Sequence, residues 1–220
     1  MDVDAKLPVG LFEGKTILVT GGTGSFGGYF IDYLLDKKFK EIRVFSRDEL
    51  KQDNMRLRLQ NSKIKFYIGD VRDRSSVDDA MSGVDYVFHA AALKQVPACE
   101  FFPKQAMQTN VIGSQNVIES AISRGVSKVV SLSTDKAVYP VNALGITKAL
   151  MEKVIQSTAR KLSNGKTVLA LVRYGNVLFS RGSVIPLFMK LIREKKPLTV
   201  TEPRMTRFLL PLKEAINLVG

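Results

Sequence analysis

Three short clusters combine residue type and spacing in ways that could do chemistry. The first is T-G-G-T-G-S-F-G, which sets Gly21, Gly24 and Gly27 in a TGxxGxxG spacing after the apolar run KTILVT (Lys15 to Thr20). The segment that follows, SFGGYFIDYLLDK, carries apolar residues at helical spacing. Gly21 permits a tight turn, Gly24 lets backbone approach a pyrophosphate, Gly27 allows close helix packing, and the helix N-terminus meets the anion. In a strand–turn–helix context this pattern reads as a dinucleotide site, with Thr23, Ser25 and Phe26 in the same loop. The second cluster is Ser46-Arg47, with Lys51 one helical turn further on. An acid there would bind a ribose 2′-hydroxyl and favour NAD. A hydroxyl and a guanidinium suit a 2′-phosphate, so NADP is expected over NAD, although Asp48 lies close enough to confuse the rule. The third is Thr134-Asp135-Lys136, which alone reads as a polar loop in which Lys136 neutralises Asp135.

The elements that must position these clusters alternate. EIRVFS, IKFYIGD, VDYVFHAAA, VSKVVSLST and KTVLALVRYGNV read as further strands after the first. DELKQDNMRLRLQ, RSSVDDAMSG, KQAMQTNVIGSQNVIESAISRG and NALGITKALMEKVIQSTARKL read as the intervening helices. Repeated βα units predict an α/β fold with a doubly wound parallel sheet, its ligand at the strand C-termini. Asp70 and Val71, after the third strand, would then flank the adenine, and Ala90, Ala91 and Ala92, after the fourth, would leave room beside the cofactor. Beyond Val177 the alternation lapses. A helix near Val184 to Arg193 and a last one in PLKEAINLVG belong to a different region, so the expected division is 1–177 and 178–220.

Composition narrows the class. The 220 residues are 45% apolar and 25% charged, enough for one sizeable core. No apolar run approaches a membrane span of roughly 18 residues, and MDVDAKLPVG lacks the features of a signal peptide, so a cytoplasmic protein is expected. Cys99 and His89 are the only cysteine and histidine, which excludes an internal disulfide and a Cys/His metal site. The net charge of +12 is scattered, with no nucleic-acid-binding motif, and suits phosphorylated small molecules better than nucleic acid.

TGGTGSFG, HAAALKQVPACE, STDKAVYPVNALGITK, VRYGNV and SRGSVIPLF, taken together, resemble the polysaccharide-biosynthesis branch of extended short-chain dehydrogenases/reductases. The nearest resemblance is to soluble inverting UDP-N-acetylglucosamine 4,6-dehydratases, and it covers Lys15 to Val219. It implies a Rossmann fold with a partial C-terminal substrate lobe, a UDP-sugar partner, a homo-oligomer, and a role in capsule, O-antigen or related sugar-nucleotide synthesis. In that family the sugar C4 hydroxyl loses hydride to NADP, water leaves from C5 and C6, and hydride returns to C6. By position, Asp135 would protonate the departing C6 hydroxyl, Lys136 would remove the C5 proton and Thr134 would border the sugar.

Lys148 matches the lysine of the family's YxxxK motif, where it holds the nicotinamide ribose. The tyrosine is replaced by Leu144, so the resemblance leaves C4 deprotonation to Lys148, a water or Tyr139, with Lys148 favoured. Tyr174 and Asn176 resemble cofactor contacts. Asn176, Val177, Ser183 and Val184 resemble contacts to the sugar nucleotide, and Arg207 resembles a diphosphate contact. Lys94 could reach a phosphate or the substrate, and Asn110 would bond backbone and position the active-site loop. Two other readings use the same residues. A UDP-sugar 4-epimerase needs the same C4 oxidation without the acid–base pair, and a non-catalytic NADP-binding regulatory subunit would account for Leu144. Family members continue for about another domain of chain, so this chain is expected to be truncated and to turn over poorly alone.

Overall fold

A computed structural model describes residues 10–162, 165–180, 182–200 and 202–219. The stretch 1–9, read for targeting signals, and Arg181 lie outside the described residues. Six apolar runs form one parallel sheet in the order β3-β2-β1-β4-β5-β6. These strands are β1 (Thr16–Thr20), β2 (Glu41–Ser46), β3 (Ile64–Ile68), β4 (Tyr86–His89), β5 (Lys128–Thr134) and β6 (Val168–Tyr174). The continuous apolar runs, buried on both sides, are what a sheet covered by helices on two faces requires. Along β1, Ile17 and Val19 pack into one core with Phe30, Ile31 and Leu34 of α1 (Ser25–Leu35). Leu18, pointing the other way, joins Val117 and Ile118 of α6 (Gly113–Ser123) and Met151 and Ile155 of α7 (Ala143–Lys161).

Several helices begin at side-chain caps or prolines. Asp48 accepts from Lys51 N to cap α2 (Glu49–Leu59), Asp73 caps α3 (Arg74–Met81), and Asn142 accepts from Gly145 N at the start of α7. Two expectations need correction here. A short helix, α4 (Val96–Phe101), lies in a segment given no element, where Pro97 sits in its first turn. The long helix expected from Lys104 onward is instead α5 (Pro103–Met107), a π-helical turn over Gln108–Ile112, and α6.

The last expected strand is also divided. β6 ends at Tyr174, and Asn176–Val177 forms β7, which pairs in parallel with β8 (Leu209–Leu210) in a separate sheet. The break is at Gly175, where a Cβ would lie 2.4 Å from the Phe208 carbonyl oxygen. Helix α8 (Val184–Arg193) falls where expected. The final helix, α9 (Leu212–Asn217), is not left without a surface. Ile216 and Val219 are buried in the α1-side core with Phe30 and Phe88.

Candidate functional site

Between β1 and β4 the strand order reverses, and the connections that leave these two strands run to opposite faces of the sheet, to α1 on one and α6 on the other. A cavity of 530 Å³ opens there, at the C-terminal ends of the strands, as the topology requires. The glycine turn forms its floor. Gly21 has φ +66°, and a Cβ on it would meet Ala91 N at 2.8 Å, while one on Gly27 would lie 2.5 Å from Gly21 O. The turn and the Ala90–Ala91 backbone therefore close on each other only without side chains. Helix α1 starts after Gly24, which has no side chain to cap it, and Gly24, Ser25, Phe26 and Gly27 of its first turn line the cavity. Two hydroxyls on the cavity wall, Thr109 Oγ1 and Ser183 Oγ, are buried with no hydrogen-bond partner among the described residues. Uncapped amides, a glycine cradle and orphaned hydroxyls fit a dinucleotide with its diphosphate at the helix N-terminus.

Thr23, Ser25, Phe26, Ser46, Arg47, Lys51, Asp70, Val71, Ala92 and Lys94 also line this cavity. The basic residues are not idle. Arg47 Nη1 lies 3.4 Å from Asp70 Oδ2, and Lys51 Nζ is bonded to the carboxylate of Asp48. Asp70 is held further by Arg72, whose Nη2 is at 2.6 Å. Burial works to raise the Asp70 carboxyl, but the bonds from Arg72 and the charges of Arg47 and Arg72 hold it below the usual carboxylate range. Ser46 is buried, and its hydroxyl accepts from Gln52 Nε2 at 3.2 Å. Lys51 lines the cavity as expected and is also paired there with Asp48. Arg47, half exposed, is the cation closest to the expected role.

On the opposite wall Lys148 is buried, not a solvated helix lysine. Its Nζ donates to Leu132 O at 2.8 Å. Burial pushes the amine down to about 8, against the opposing pull of Glu152 and Cys99. Leu144, one turn earlier on α7, also lines the cavity and packs with Cys99 and Ala106. Tyr139 is corrected as a substitute base, since it is 92% exposed and does not line the cavity. Tyr174 lines the cavity with its ring stacked on Phe26 at 5.9 Å, and burial raises its phenol to about 12. It offers the cavity a ring face and stays protonated.

Thr134, Asp135 and Lys136 stand where β5 ends and a 3₁₀ turn (Asp135–Ala137) begins. Thr134 Oγ1 donates to Asp135 Oδ1 at 2.9 Å, and Lys136 Nζ donates to the same oxygen at 3.0 Å and to Asn176 Oδ1 at 2.8 Å. Thr134 and Lys136 reach the cavity wall; Asp135 and Asn176 stand behind them. Asn176, expected to touch cofactor and substrate, instead orients Lys136. Val177 and Ser183 line the cavity, whereas Val184 does not. Arg207 donates to its own neighbour, Thr206 O, at 2.7 Å and lies off the wall. Asn110 does what was expected of it. Its side chain accepts from Leu93 N at 2.8 Å and donates to Leu93 O at 3.0 Å, pinning the loop after β4.

A family model described as polysaccharide biosynthesis protein matches residues 17–220. The chain belongs to this family. Its fold is of the extended short-chain dehydrogenase/reductase type. UDP-glucose 4-epimerase of Rickettsia prowazekii (strain Madrid E) is 59% identical over 213 residues, 95% of this chain and 62% of that protein. The protein of the same name from Rickettsia canadensis (strain McKiel) is 60% identical over the same share. The solved structure of Pen from Bacillus thuringiensis superposes with a TM-score of 0.92 at 42% identity, over 95% of this chain and 64% of that one. UDP-glucose 4-epimerase of Thermotoga maritima, solved with UDP-glucose, has a TM-score of 0.79 at 22% identity, a likeness of fold alone, over 91% of this chain and 71% of that one. The chain spans 62% of the length of the curated relatives it matches.

In this member of the polysaccharide biosynthesis family, several site residues give no signal in a motif scan. Gln52 fastens β2 to β3 under Arg47, donating to Ser46 O at 3.0 Å and Tyr67 O at 2.8 Å. His89 is fully enclosed, with Thr20 Oγ1 2.7 Å from Nδ1 and Ser114 Oγ 2.8 Å from Nε2. Thr109 reaches the cavity only because of the π-helical turn, which an apolar-periodicity scan cannot register. Among the described residues no group of three or more His, Cys, Asp or Glu could hold a metal ion, and no helix is long and apolar enough to cross a membrane.

Proposed function

We propose that the chain forms the cofactor-binding part of an enzyme that oxidises a UDP-sugar at C4 and then reduces it again, with C4 epimerisation as the outcome. Residues 1–177 are its NADP domain and 178–220 open the substrate lobe. The observation that carries the reading is Lys148. It is a buried amine at about 8, in one cavity with an uncapped helix N-terminus and with Leu144 where a phenol would serve as base. When bound, NADP supplies the acceptor and donor of the hydride. Lys148, neutral in roughly one molecule in ten at pH 7, takes the proton from the C4 hydroxyl and later returns it. Leu144 and Cys99 keep water from that wall. Arg47 favours NADP because its half-exposed guanidinium can leave a 3.4 Å contact with Asp70 for a phosphate. The Rickettsia relatives, named UDP-glucose 4-epimerase, support epimerisation.

A second reading, 4,6-dehydration of a UDP-N-acetylhexosamine, is favoured by the Asp135–Lys136–Asn176 group, which sets an acid and an amine side by side at the cavity. Mass spectrometry and NMR on UDP-glucose and UDP-N-acetylglucosamine, incubated with the protein and catalytic NADP, separate the two. An isobaric product inverted at C4 supports epimerisation, and a product lighter by one water supports dehydration. Tight cofactor binding without turnover of any UDP-sugar, in a protein that spans the full length of its relatives, overturns both in favour of a regulatory subunit.

A further inference from the structure

Glu152 is 3% exposed, four residues after Lys148 on the same face of α7. A carboxylate that deep persists only when its charge is compensated. Its Oε1 accepts from Ser133 Oγ at 2.5 Å and from Arg173 Nε at 2.9 Å, and its Oε2 from Arg173 Nη2 at 2.5 Å. Burial works to raise the carboxyl, but these bonds and the charges of Arg173 and Lys148 hold it below the usual range. Arg173 comes from edge strand β6 and is half exposed, so solvent could satisfy it without any carboxylate.

The spacing on β5 gives the group its interest. Lys148 bonds Leu132, and Glu152 bonds Ser133, the next residue. The three residues that follow are Thr134, Asp135 and Lys136. One turn of α7 therefore grips the last two residues of β5 before the reactive turn, one by a cation and one by an anion. Other groups that face the Lys148 amine are Cys99 of α4 and the enclosed His89 at the end of β4.

We propose that Glu152 is a positioning residue. Through Ser133 and Arg173 it fixes the end of β5 that carries Thr134 to Lys136, and it sets a buried carboxylate one turn of α7 beyond Lys148. The inference rests on the reading of Lys148 under Proposed function only for the use to which that amine is put. A simple structural ion pair would hold Arg173 to α7 and leave the lysine and the β5 turn unaffected.

The test follows Lys148 by carbon NMR in protein carrying ¹³C-labelled lysine, with the signal assigned by its loss in Lys148→Met. In Glu152→Gln the midpoint should fall by about one pH unit, as expected on loss of a nearby opposite charge, and Glu152→Asp should recover part of the shift. Amide exchange at 134–136 should quicken in Glu152→Gln and in Ser133→Ala, which removes one bond and no charge. The pH midpoint of turnover should move with that of the amine. An unmoved lysine midpoint in Glu152→Gln overturns the charge role. Unchanged exchange in Ser133→Ala overturns the positioning role, and does so even if Glu152→Gln fails to fold. The NMR and exchange readouts need no substrate. Inactivity, with every UDP-sugar, of a protein that spans the full length of the relatives therefore overturns the proposed function and leaves this inference to be decided by them.

Discussion

Lys136 and Asn176 meet across the mouth of the site, with Nζ 2.8 Å from the side-chain oxygen, so that one ammonium ties the end of β5 to the first residue of β7. Asp135 holds the same ammonium at 3.0 Å. If Lys136 removes a proton during dehydration, Lys136→Met should lower turnover by about 10²-fold or more, and Asn176→Ala, which only frees the amine, by less. If the reaction is epimerisation, both variants should stay within about tenfold of wild type. Steady-state kinetics on the two variants with the same UDP-sugar distinguish these outcomes.

Lys148 gives a pH signature. Burial pushes its amine down to about 8, so the neutral form gains with rising pH. Turnover limited by C4 deprotonation should climb about tenfold per pH unit below 8 and level off above it, in a pH–rate profile of kcat. Leu144→Phe should leave that profile in place, because residue 144 contributes no proton. A plateau reached well below pH 7 would exclude Lys148 as the base.

Cofactor preference turns on Arg47. Arg47→Ala should weaken NADP by about 10- to 100-fold, the loss of one charge-assisted contact, while leaving NAD nearly unchanged. Titration of both dinucleotides by calorimetry checks this. Equal affinities in the wild-type protein, or no effect of the substitution, would overturn the preference for NADP.

His89 predicts acid sensitivity. Burial, with a smaller contribution from the Lys148 charge, pushes the imidazole down to about 3 from an ordinary 6.5. The folded value lies below the unfolded one, so the unfolded chain takes up the proton first as pH falls. The stability present above about pH 6.5 should decline between there and about pH 3, with a slope approaching 1.4 kcal/mol per pH unit. Urea unfolding at about pH 7 and about pH 5 tests the sign. His89→Gln should be less stable throughout, through its lost bonds to Thr20 and Ser114, but less steep in acid.

Much of the architecture could be read from local pattern. β1, with both faces buried, and the glycine turn after it carry their own signals, and so does the apolar periodicity of α1. Helix α4 escaped because Pro97 and six residues give periodicity too little length. β7 escaped because a two-residue strand has no pattern of its own and depends on Leu209 and Leu210, over thirty residues away. In the site, Gly21, Ser46 and Arg47 were legible from spacing within a motif, and Lys148 only through the family resemblance. Gln52, Glu152 and Thr109 were not, because each acts through a partner on another element. The pairing of Lys51 with Asp48 was hidden for the opposite reason, since two adjacent functions competed for one lysine.

The π-helical turn at Gln108–Ile112 works as a phase shifter. Its one surplus residue lets Thr109 face the cavity while Asn110 holds Leu93 and, at 3.1 Å, Thr147 of α7. Were the same residues wound as a regular α-helix, the surplus residue would turn everything on one side of it by about 100° relative to the other. Asn110 would then leave Leu93, or Ser114 would leave His89. Chimeras that splice relatives inside this helix must therefore match its length to the residue, whereas junctions in the loop before β5 carry no such constraint.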